Sequence, residues 1–416
     1  MEHLHISPDL IHPLAIEVCR VLHENDYQAF IVGGCVRDLL LGQKPKDWDI
    51  TTDASPKRVM ELFPKTIPTG LQHGTVTVVM GEGVENHFEV TTFRIEGAYS
   101  DGRRPDEVFF VMNVEDDLAR RDLTINAIAY DPITKMVSDP FNGVKDLAAD
   151  FHEAGIIRAV GNPVTRFQED GLRIMRVARF AARFRYAVDY PTFHGMQQSL
   201  ETLKKVSKER ISDELTKTLM SNNPSYGLQI LRDCGALDIA CPLLAGRQLP
   251  LLPSQDLCKG PLEVRLAFLY NRLPVEQVQE ELINLKFSNK EIKRVVFLLQ
   301  LVERFYVFEE KHTDLAYKSF MAVIKNHSPD PWEDTLRQFL HLTEPMGLAS
   351  GSLLEEYKGL VVLARKDMAI NGDDLIQAGM TPGPRIKKAL DECYLEILRN
   401  PENNTKYRLL EIARKL

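Results

Sequence analysis

The hydrophobic pattern of this sequence changes once along the chain, and that change limits the folds available to it. Residues 1 to about 140 contain short runs rich in β-branched and aromatic residues, bounded by Gly, Pro, Asp or His. From about Gln168 onward, apolar residues recur three and four positions apart, as in Ile211, Leu215 and Leu219. We therefore expect an α+β protein, with a small mixed α/β head followed by an all-α remainder. The four predicted strands lie at 29–32, 48–51, 74–79 and 88–93.

Length and composition narrow the class of protein. A chain of 416 residues with 44% hydrophobic residues is long enough for two to four domains. A net charge of −8 argues against a protein that coats nucleic acid indiscriminately. No apolar run reaches the roughly 18 residues of a membrane span, and the polar start does not resemble a signal peptide, so we expect a cytoplasmic protein. The cysteines form no CxxC pair and predict neither disulfides nor zinc; they are Cys19, Cys35, Cys234, Cys241, Cys258 and Cys393.

Two glycines stand between the first predicted strand and a helical run. Gly33 and Gly34 precede the run from Val36 to Leu41, which contains Arg37. Two glycines let the backbone approach a triphosphate, a helix N-terminus offers free N–H groups, and an arginine is a bidentate phosphate donor. A Gly-Gly turn between a strand and a helix more often has no ligand, so this motif indicates phosphate binding only together with the motifs that follow it.

Two acidic residues follow, ten and twelve positions after Arg37. In the run Asp47-Trp48-Asp49-Ile50, strand alternation places both carboxylates on one face and both apolar side chains on the other. Carboxylate pairs suit Mg²⁺, which orients a triphosphate and neutralises charge on the leaving pyrophosphate. Glu89, in a later strand, is either a third ligand or the solvated side of a half-buried strand. We predict a Mg²⁺ site at Asp47 and Asp49, with Glu89 as the candidate third ligand.

The segment from Val114 to Tyr130 is predicted to be one helix. Arg121 on this helix could reach the phosphates or sugar of a nucleotide, and Asn126 could reach the sugar. Arg120 and Asp122 are predicted to form an exposed, salt-bridged surface of the same helix.

A basic segment lies between Ile156 and Tyr186, where seven arginines and two acids give a local charge of +5. Asp170, Arg173 and Arg176 are spaced three apart, which places them on one helix surface, and Arg179 continues the stripe. This stripe is either the solvated face of a structural helix or a reader of nucleotide bases. An Asp/Arg pair complements the exocyclic amine and ring acceptor that cytosine and adenine share, and rejects uracil and guanine. Next to a metal site, the stripe predicts selection of CTP and ATP without a nucleic-acid template.

At these motifs the chain resembles the class II tRNA nucleotidyltransferases, the CCA-adding enzymes, and more distantly the bacterial poly(A) polymerases. The motifs are Gly-Gly-x-Val-Arg-Asp at 33–38, Asp-x-Asp at 47–49, Arg-Arg-Asp-x-x-x-Asn-Ala at 120–127 and Glu-Asp-x-x-Arg at 169–173. The resemblance implies metal binding by Asp47 and Asp49, triphosphate contact by Gly34 and Arg37, and nucleotide contact by Arg121, Asp170, Arg173, Arg176 and Arg179.

The same resemblance implies a division of the chain into four parts. Residues 1–150 would form a polymerase-beta-like head, 151–220 a helical neck that selects the base, 221–305 a helical body and 306–416 a tail that binds RNA. In the tail, Thr381 to Lys388 predicts a helix start with three cations, which is either a phosphate contact or an ordinary helix start. The sequence leaves the oligomeric state open.

Three further features bear on the reaction. The aperiodic segment 94–107, predicted to be a mobile loop near the site, has the full length found in enzymes that add the terminal A. His73-Gly74-Thr75-Val76 and Arg103-Arg104-Pro105 resemble the tRNA enzymes more than the poly(A) polymerases. None of the 11 histidines precedes an aspartate, so the His-Asp phosphohydrolase site of some relatives is absent and we expect no phosphatase activity.

The predicted function is addition of C, C and A, from CTP and ATP, to the 3′ end of tRNA. Addition of A alone, or of poly(A), is the alternative within the same class. A non-catalytic RNA-binding protein is the alternative from another class. It is disfavoured because the two carboxylates, the Gly-Gly turn and the Asp/Arg stripe are all present.

Overall fold

The computed structural model describes residues 6–97, 107–147, 155–245, 253–348 and 350–415. The chain forms two compact units, Met1–Arg247 and Gln248–Leu416. All the described strands lie in the first unit, and the described part of the second unit has only helices as regular structure, which confirms the α+β class. None of the described helices is long and apolar enough to cross a membrane. The further division at residues 150, 220 and 305 stays a prediction.

A mixed sheet lies at the centre of the first unit. The strands of this unit are β1 (Ala29–Val32), β2 (Asp49–Thr52), β3 (Thr66–Gly70), β4 (Thr75–Val79), β5 (His87–Thr92), β6 (Arg94–Glu96), β7 (Val108–Phe110), β8 (Ala129–Tyr130), β9 (Val137–Ser138), β10 (Ile156–Ile157) and β11 (Ala187–Val188). In the described residues seven of them form one sheet in the order β3-β4-β5-β2-β1-β8-β9. Strands β2 and β5 are parallel, and the other neighbours are antiparallel.

The four predicted strands are confirmed within one or two residues, as β1, β2, β4 and β5. Strand β3 was not predicted, because it is an edge strand with mostly exposed side chains and a proline at position 68. The predicted loop 94–107 is wrong at its start, where β6 pairs with β7. Residues 98–106 of that loop, including Arg103 and Arg104, lie outside the described residues.

The helices of the first unit pack against the strands of this sheet and against one another. The longest of those that carry predicted site residues is α7 (Leu172–Phe184). It packs against α10 (Lys208–Leu219) and α11 (Pro224–Asp233) through a face that includes Ile174, Ala178 and Ala181, all fully buried. The helices are α1 (Pro13–His23), α2 (Gly34–Leu40), α3 (Pro56–Leu62), α4 (Val114–Ala119), α5 (Gly143–Leu147), α6 (Pro163–Glu169), α7 (Leu172–Phe184), α8 (Tyr190–Gln198), α9 (Leu200–Leu203), α10 (Lys208–Leu219), α11 (Pro224–Asp233) and α12 (Ala236–Ala240).

The predicted helix from Val114 to Tyr130 is wrong beyond Ala119, where α4 ends. The chain after α4 is buried on every side: Leu123, Ile125 and the run 127–129 are fully buried. Its backbone forms a single 3-10 turn at Thr124–Asn126, and it also bonds to a distant segment, since the Thr124 N–H donates to the Arg158 carbonyl at 2.9 Å. A continuing amphipathic helix would leave one side of this segment in water, so burial on all sides favours the short turn that leads into β8.

The predicted helix through residues 169–180 is interrupted. Helix α6 ends at Glu169, Asp170 has extended backbone angles, and α7 begins at Leu172. Gly171 allows this junction because a Cβ at that position would lie 2.5 Å from the carbonyl of Thr202. Asp170 therefore precedes α7 and does not share a continuous helical face with Arg173, which corrects the predicted stripe.

The second unit consists of α13 (Leu262–Leu269), α14 (Val275–Asn284), α15 (Asn289–Lys311), α16 (Asp314–His327), α17 (Trp332–Thr343), α18 (Ser350–Glu356), α19 (Gly372–Gln377), α20 (Pro384–Arg399) and α21 (Lys406–Arg414). A cluster of phenylalanines joins α15, α16 and α17: the ring of Phe305 meets Phe320 edge-to-face and Phe339 at a tilt, with 5.7 and 5.4 Å between centroids. The predicted helix start in the tail is confirmed, since α20 begins at Pro384.

Candidate active site

The predicted metal carboxylates lie at one edge of the central sheet. Asp49 is the first residue of β2, and Asp47 is exposed just before it. Trp48 and Ile50 point the opposite way and are buried, as alternation predicts. Glu89 of β5 is the direct parallel neighbour of Asp49, and adjacent strands lie about 4.8 Å apart. The fold therefore brings the three predicted acidic residues together.

The like charges of these carboxylates repel one another. Burial raises the pKa of the Asp49 carboxyl, the charge of Arg121 lowers it, and Asp47 raises it again, with a net upward shift. Burial also raises the pKa of Glu89, and the charges of Asp49 and Asp47 raise it further. A cation bound among these groups would relieve both effects.

The carboxylates fit a hard divalent cation as part of its coordination shell. Among the described residues, no three His, Cys, Asp or Glu side chains are arranged to hold one metal ion by themselves. Mg²⁺ is commonly bound by one or two carboxylates, with water and substrate phosphates completing six ligands. Asp47 and Asp49 match that requirement, and the role of Glu89 as a third ligand stays a prediction.

The Gly-Gly turn brings an arginine against the backbone. Gly33 has φ +77° and its N–H donates to the Ile128 carbonyl at 3.1 Å. A Cβ on Gly33 would lie 2.6 Å from Nη1 of Arg121. The charge of Arg121 lowers the pKa of Asp49. The Nε of Arg121 is buried without a hydrogen-bond partner among the described residues. Arg121 thus lies against the turn, 3.5 Å from Asp117, with its charge acting on Asp49, where a triphosphate is predicted to bind.

Arg37 and Asn126 are buried and bonded to other protein groups. Nε and Nη2 of Arg37 donate to Asp38 at 2.9 and 2.8 Å, and its Nη1 donates to Oδ1 of Asn126 at 2.6 Å. The Asn126 amide in turn donates to Asp122 at 3.1 Å. These bonds hold α2 against the chain that follows α4. Contact of either residue with a nucleotide stays a prediction, and it would require these bonds to rearrange.

The arginines of α7 extend this network. Nε of Arg176 donates to Asp122 at 2.6 Å, and Nε of Arg179 donates to Glu214 of α10 at 2.6 Å. The guanidinium groups of Arg176 and Arg179 lie over the buried ring of Phe180, at 5.7 and 4.0 Å from its centroid. These contacts fix the orientation of both arginines.

Asp170 and Arg173 bind separate partners instead of each other. Both carboxylate oxygens of Asp170 accept from Arg210 of α10, at 3.1 and 2.7 Å. Arg173 donates to Glu169 and to the carbonyls of Arg166 and Arg120. A base read by Asp170 would have to share or replace the bidentate Arg210 contact. The predicted base-reading pair is therefore present, but each member is engaged with another group.

Sequence reasoning missed two buried acids. Asp122 was predicted on an exposed surface, but the residue is 8% exposed and accepts from Asn126 and Arg176. Burial alone would raise its pKa, yet the charge of Arg176 and these hydrogen bonds hold the pKa far below its usual range. Glu214 carried a usable signal, because it follows Ile211 by three positions on the apolar face of α10. An acid at such a position indicates a buried ion pair.

Comparison with known proteins agrees with this arrangement. Residues 29–151 match the family described as "Poly A polymerase head domain", residues 185–246 match "Probable RNA and SrmB- binding site of polymerase A", and residues 263–413 match tRNA nucleotidyltransferase domain 2. A CCA-adding enzyme of Ligilactobacillus salivarius is 37% identical over 97% of this chain and 96% of its own length. The Bacillus stearothermophilus CCA-adding enzyme in complex with CTP superposes with a TM-score of 0.74, at 30% identity over 97% of this chain and 98% of its own. The Thermotoga maritima CCA-adding enzyme complexed with tRNA has the same fold, with a TM-score of 0.68 at 20% identity, covering 100% of both chains.

The mixed sheet with carboxylates at one edge, the Gly-Gly turn and the arginine-rich α7 define a nucleotidyltransferase with a head of the poly(A) polymerase type. Its similarity to the relatives extends over nearly the whole chain and is not confined to the head. The chain belongs to the family of CCA-adding enzymes.

Proposed function

We propose that this protein adds C, C and A, from CTP and ATP, to the 3′ end of tRNA without a nucleic-acid template. The observation that carries the proposal is the placement of Asp49 beside Glu89, with Arg121 against the Gly33 turn and its charge acting on Asp49. The similarity to CCA-adding enzymes over 97% of the chain supports the choice of CTP, ATP and tRNA as substrates. The two related structures described above are CCA-adding enzymes in complex with CTP and with tRNA.

We assign Mg²⁺ to Asp47 and Asp49. The ion would neutralise charge on the triphosphate and on the leaving pyrophosphate. It would also activate the attacking 3′-hydroxyl. Arg121, beside Gly33, would bind a phosphate or the sugar and keep the nucleotide against the carboxylates. Burial raises the pKa of the Asp49 carboxyl and the charge of Arg121 partly opposes that effect, and a bound cation would favour the charged form.

Base selection is assigned to Asp170 and Arg173. A carboxylate acceptor and a guanidinium donor complement the Watson–Crick edges of both cytosine and adenine. Arg176 and Arg179, fixed by Asp122, Glu214 and the ring of Phe180, would support the nucleotide from the same helix.

The RNA partner is assigned to the helical remainder of the chain, with the tail residues 306–416 binding tRNA away from the 3′ end. We also assign the protein to the cytoplasm, where tRNA, CTP and ATP are available. Its cysteines support a reducing compartment, since all six are buried free thiols.

The test is a primer-extension assay on tRNA that ends before the CCA. Purified protein is supplied with CTP, ATP or both, and product lengths are resolved to a single nucleotide. We expect two added residues with CTP alone and three with both nucleotides. Absence of extension under every condition would contradict the proposed reaction.

Other product patterns identify the alternatives. Extension by ATP of CC-ended tRNA only would indicate an enzyme that adds A alone. Long A tracts on any RNA would indicate a poly(A) polymerase. RNA binding without extension would indicate a non-catalytic RNA-binding protein.

The metal assignment is tested by Asp47→Ala. We expect the rate of transfer to fall about 100-fold or more, because a lost metal contact is worth several kcal/mol in the transition state. CTP binding should be partly retained, since Arg121 and the turn are unchanged. Transfer rates and CTP dissociation constants are measured with and without Mg²⁺. Glu82→Ala, an exposed acid of the same unit, is the control, and a normal rate for Asp47→Ala would disprove the assignment.

A further inference from the structure

A basic cavity opens on the first unit between α7 and α10. Its volume is about 280 Å³, close to the lower end of small-ligand pockets, which span roughly 300–1,000 Å³. Three cations line it, together with a hydroxyl, an amide and a thioether, and the described lining contains no acidic side chain. The lining residues are Arg179 and Arg183 of α7, Lys217 and Met220 of α10, and Ser221 and Asn222 just beyond α10.

Arg179 is held rigidly at one wall of this cavity. Its Nε donates to the buried carboxylate of Glu214 at 2.6 Å, and its guanidinium lies 4.0 Å from the centroid of Phe180. In the part of the chain that the structure describes, the side chain makes no other hydrogen bond. Its two terminal amino groups therefore remain as donors for a group inside the cavity.

Lys217 and Arg183 are held more loosely. Lys217 pairs with Asp213 at 2.5 Å, where both side chains are about half exposed, and its Nζ lies 3.8 Å from the buried carboxylate of Glu214. The exposed pair with Asp213 contributes only about 0.3–0.5 kcal/mol, so Lys217 can exchange that partner at little cost. Nη2 of Arg183 donates to Asp38 at 3.1 Å, and its side chain is 36% exposed. Both cations can therefore turn to an anion that enters the cavity.

The position of the cavity indicates which anion this is. One wall is Arg179, which belongs to the proposed nucleotide-contacting residues of α7. The opposite wall, residues 217–222, lies within the segment 185–246 that matches the RNA-binding family described above. In the described residues, Lys217, Ser221 and Asn222 bond to none of Asp49, Gly33 and Arg121, the groups assigned to the metal and the triphosphate. Arg183 bonds to Asp38, which also accepts from Arg37. A cavity that adjoins the nucleotide site but does not share its triphosphate groups suits the RNA that accepts the nucleotide.

We propose that this cavity binds a backbone phosphate of the RNA 3′ end, with Arg183 and Lys217 as donors and Arg179 as the wall that the cavity shares with the nucleotide site. Lys217 and Arg183 then act as positioning residues for the RNA and not for the incoming nucleotide. The proposal rests on the proposed addition of nucleotides to an RNA end. It adds to that function a specific set of residues that hold the acceptor.

The test uses the full-length protein with Lys217→Gln. The dissociation constant for tRNA lacking CCA is measured over a series of salt concentrations, and KM for CTP is measured in parallel. Loss of one charge-assisted phosphate contact should raise the tRNA dissociation constant about tenfold at low salt. The slope of log K against log salt should fall by about 0.7, the value for one single-stranded phosphate, and KM for CTP should stay the same. Lys217→Arg should restore the slope, and Arg183→Gln should shift it in the same direction as Lys217→Gln.

Lys204→Gln is the matched control. Lys204 is a surface lysine in the same matched segment, paired with Glu201 at 2.6 Å and 55% exposed, so its loss should change neither quantity. An unchanged salt slope for both Lys217→Gln and Arg183→Gln would overturn the proposal. A raised KM for CTP with unchanged tRNA binding would also overturn it, because the cavity would then hold the phosphates of the nucleotide. A wild-type protein that neither binds nor extends tRNA would instead refute the proposed function.

Discussion

At the scale of single residues, Gly33 is the position where the backbone and the catalytic groups constrain each other most closely. Its φ of +77° lies in the left-handed region that disfavours residues with a Cβ. The space that a Cβ would need is also taken, by Nη1 of Arg121. A side chain at this position would therefore displace Arg121 away from the carboxylates.

Gly33→Ala should lose stability because of the positive φ at this position. It should also lose activity, because the new Cβ would displace Arg121. Gly42 separates the two effects, because it has a similar φ of +68° with nothing within 4 Å of its Cβ position. We expect both alanine variants to lose about 1 kcal/mol of unfolding free energy. Only Gly33→Ala should also slow transfer, by about 100-fold, as a misplaced group near the reaction does. Urea denaturation and extension rates measure the two effects, and equal rates for the two variants would contradict the role of Arg121.

Asp122 predicts a pH dependence of stability. Its carboxyl pKa is depressed in the folded protein, mainly because the charge of Arg176 and the hydrogen bonds from Asn126 and Arg176 outweigh burial. A depressed pKa stabilises the fold above the unfolded value of about 3.9 and loses that contribution as pH falls toward the folded value. Asp122→Asn should therefore cost about 3 kcal/mol at pH 7, since it leaves Arg176 without its buried partner.

The difference in unfolding free energy between wild type and Asp122→Asn should be constant from pH 7 to about pH 5. It should shrink below about pH 4, where the unfolded carboxyl takes up its proton. Urea denaturation at a series of pH values measures this difference. A difference that grows toward low pH would contradict the ion pair between Asp122 and Arg176.

At the scale of elements, the junction between α6 and α7 places the groups that are assigned to read the base. Gly171 lets α9 approach this junction, because its Cβ position lies 2.5–2.7 Å from backbone atoms of Thr202 and Leu203. Backbone atoms cannot turn aside as a flexible side chain can. A side chain at position 171 would therefore move the junction, and with it Asp170 and Arg173.

Gly171→Ala should destabilise the protein by about 1–3 kcal/mol through overpacking and weaken discrimination of CTP and ATP against UTP. Gly351 is the matched control, because it is a helical glycine of α18 with open space around its Cβ position. Gly351→Ala should leave specificity unchanged and raise stability by up to about 1 kcal/mol, the difference in helix propensity. Thermal unfolding and misincorporation of UTP are the measurements. Wild-type stability and discrimination in Gly171→Ala would show that the junction tolerates a side chain.

At the scale of the whole molecule, the residues assigned to the nucleotide and the tail assigned to tRNA lie in different compact units. The carboxylates, the turn and α7 all lie in Met1–Arg247, whereas the tail assigned to tRNA lies in Gln248–Leu416. The segment between Ile156 and Tyr186 carries a charge of +5 in a chain of −8, although Arg176, Arg179 and Arg183 in it are paired with acids outside it. Substitutions in the tail should therefore change KM for tRNA and leave KM for CTP unchanged.

Arg385→Gln tests this division in the tail. Arg385 follows Pro384 at the start of α20 and, with Arg414, lines a cavity of about 200 Å³. We expect KM for tRNA to rise several-fold, as for the loss of one phosphate contact, with kcat and KM for CTP unchanged. Arg337→Gln, an exposed arginine of α17 paired with Asp334, is the control and should have no effect. A change in KM for CTP alone would contradict the division.

The head strands and the metal carboxylates could be predicted because both depend on local alternation. A period of two along β2 fixes which side of the sheet Asp47 and Asp49 share, whatever strand lies beside it. The helical remainder followed from the three- and four-residue spacing of its apolar residues in the same way. The resemblance over four motifs then indicated the reaction.

The sequence by itself therefore determined the class of fold, the acidic edge of the sheet and the basic stretch that became α7. The tertiary structure alone decided that Asp122 is buried, that Arg37 faces Asn126, and that Asp170 is held by Arg210. The physical reason is that these contacts join residues far apart in the chain, 40 positions for Asp170 with Arg210 and 145 for Arg183 with Asp38. Periodicity records which side of an element faces the core, but the partner of a buried charge depends on which elements pack together.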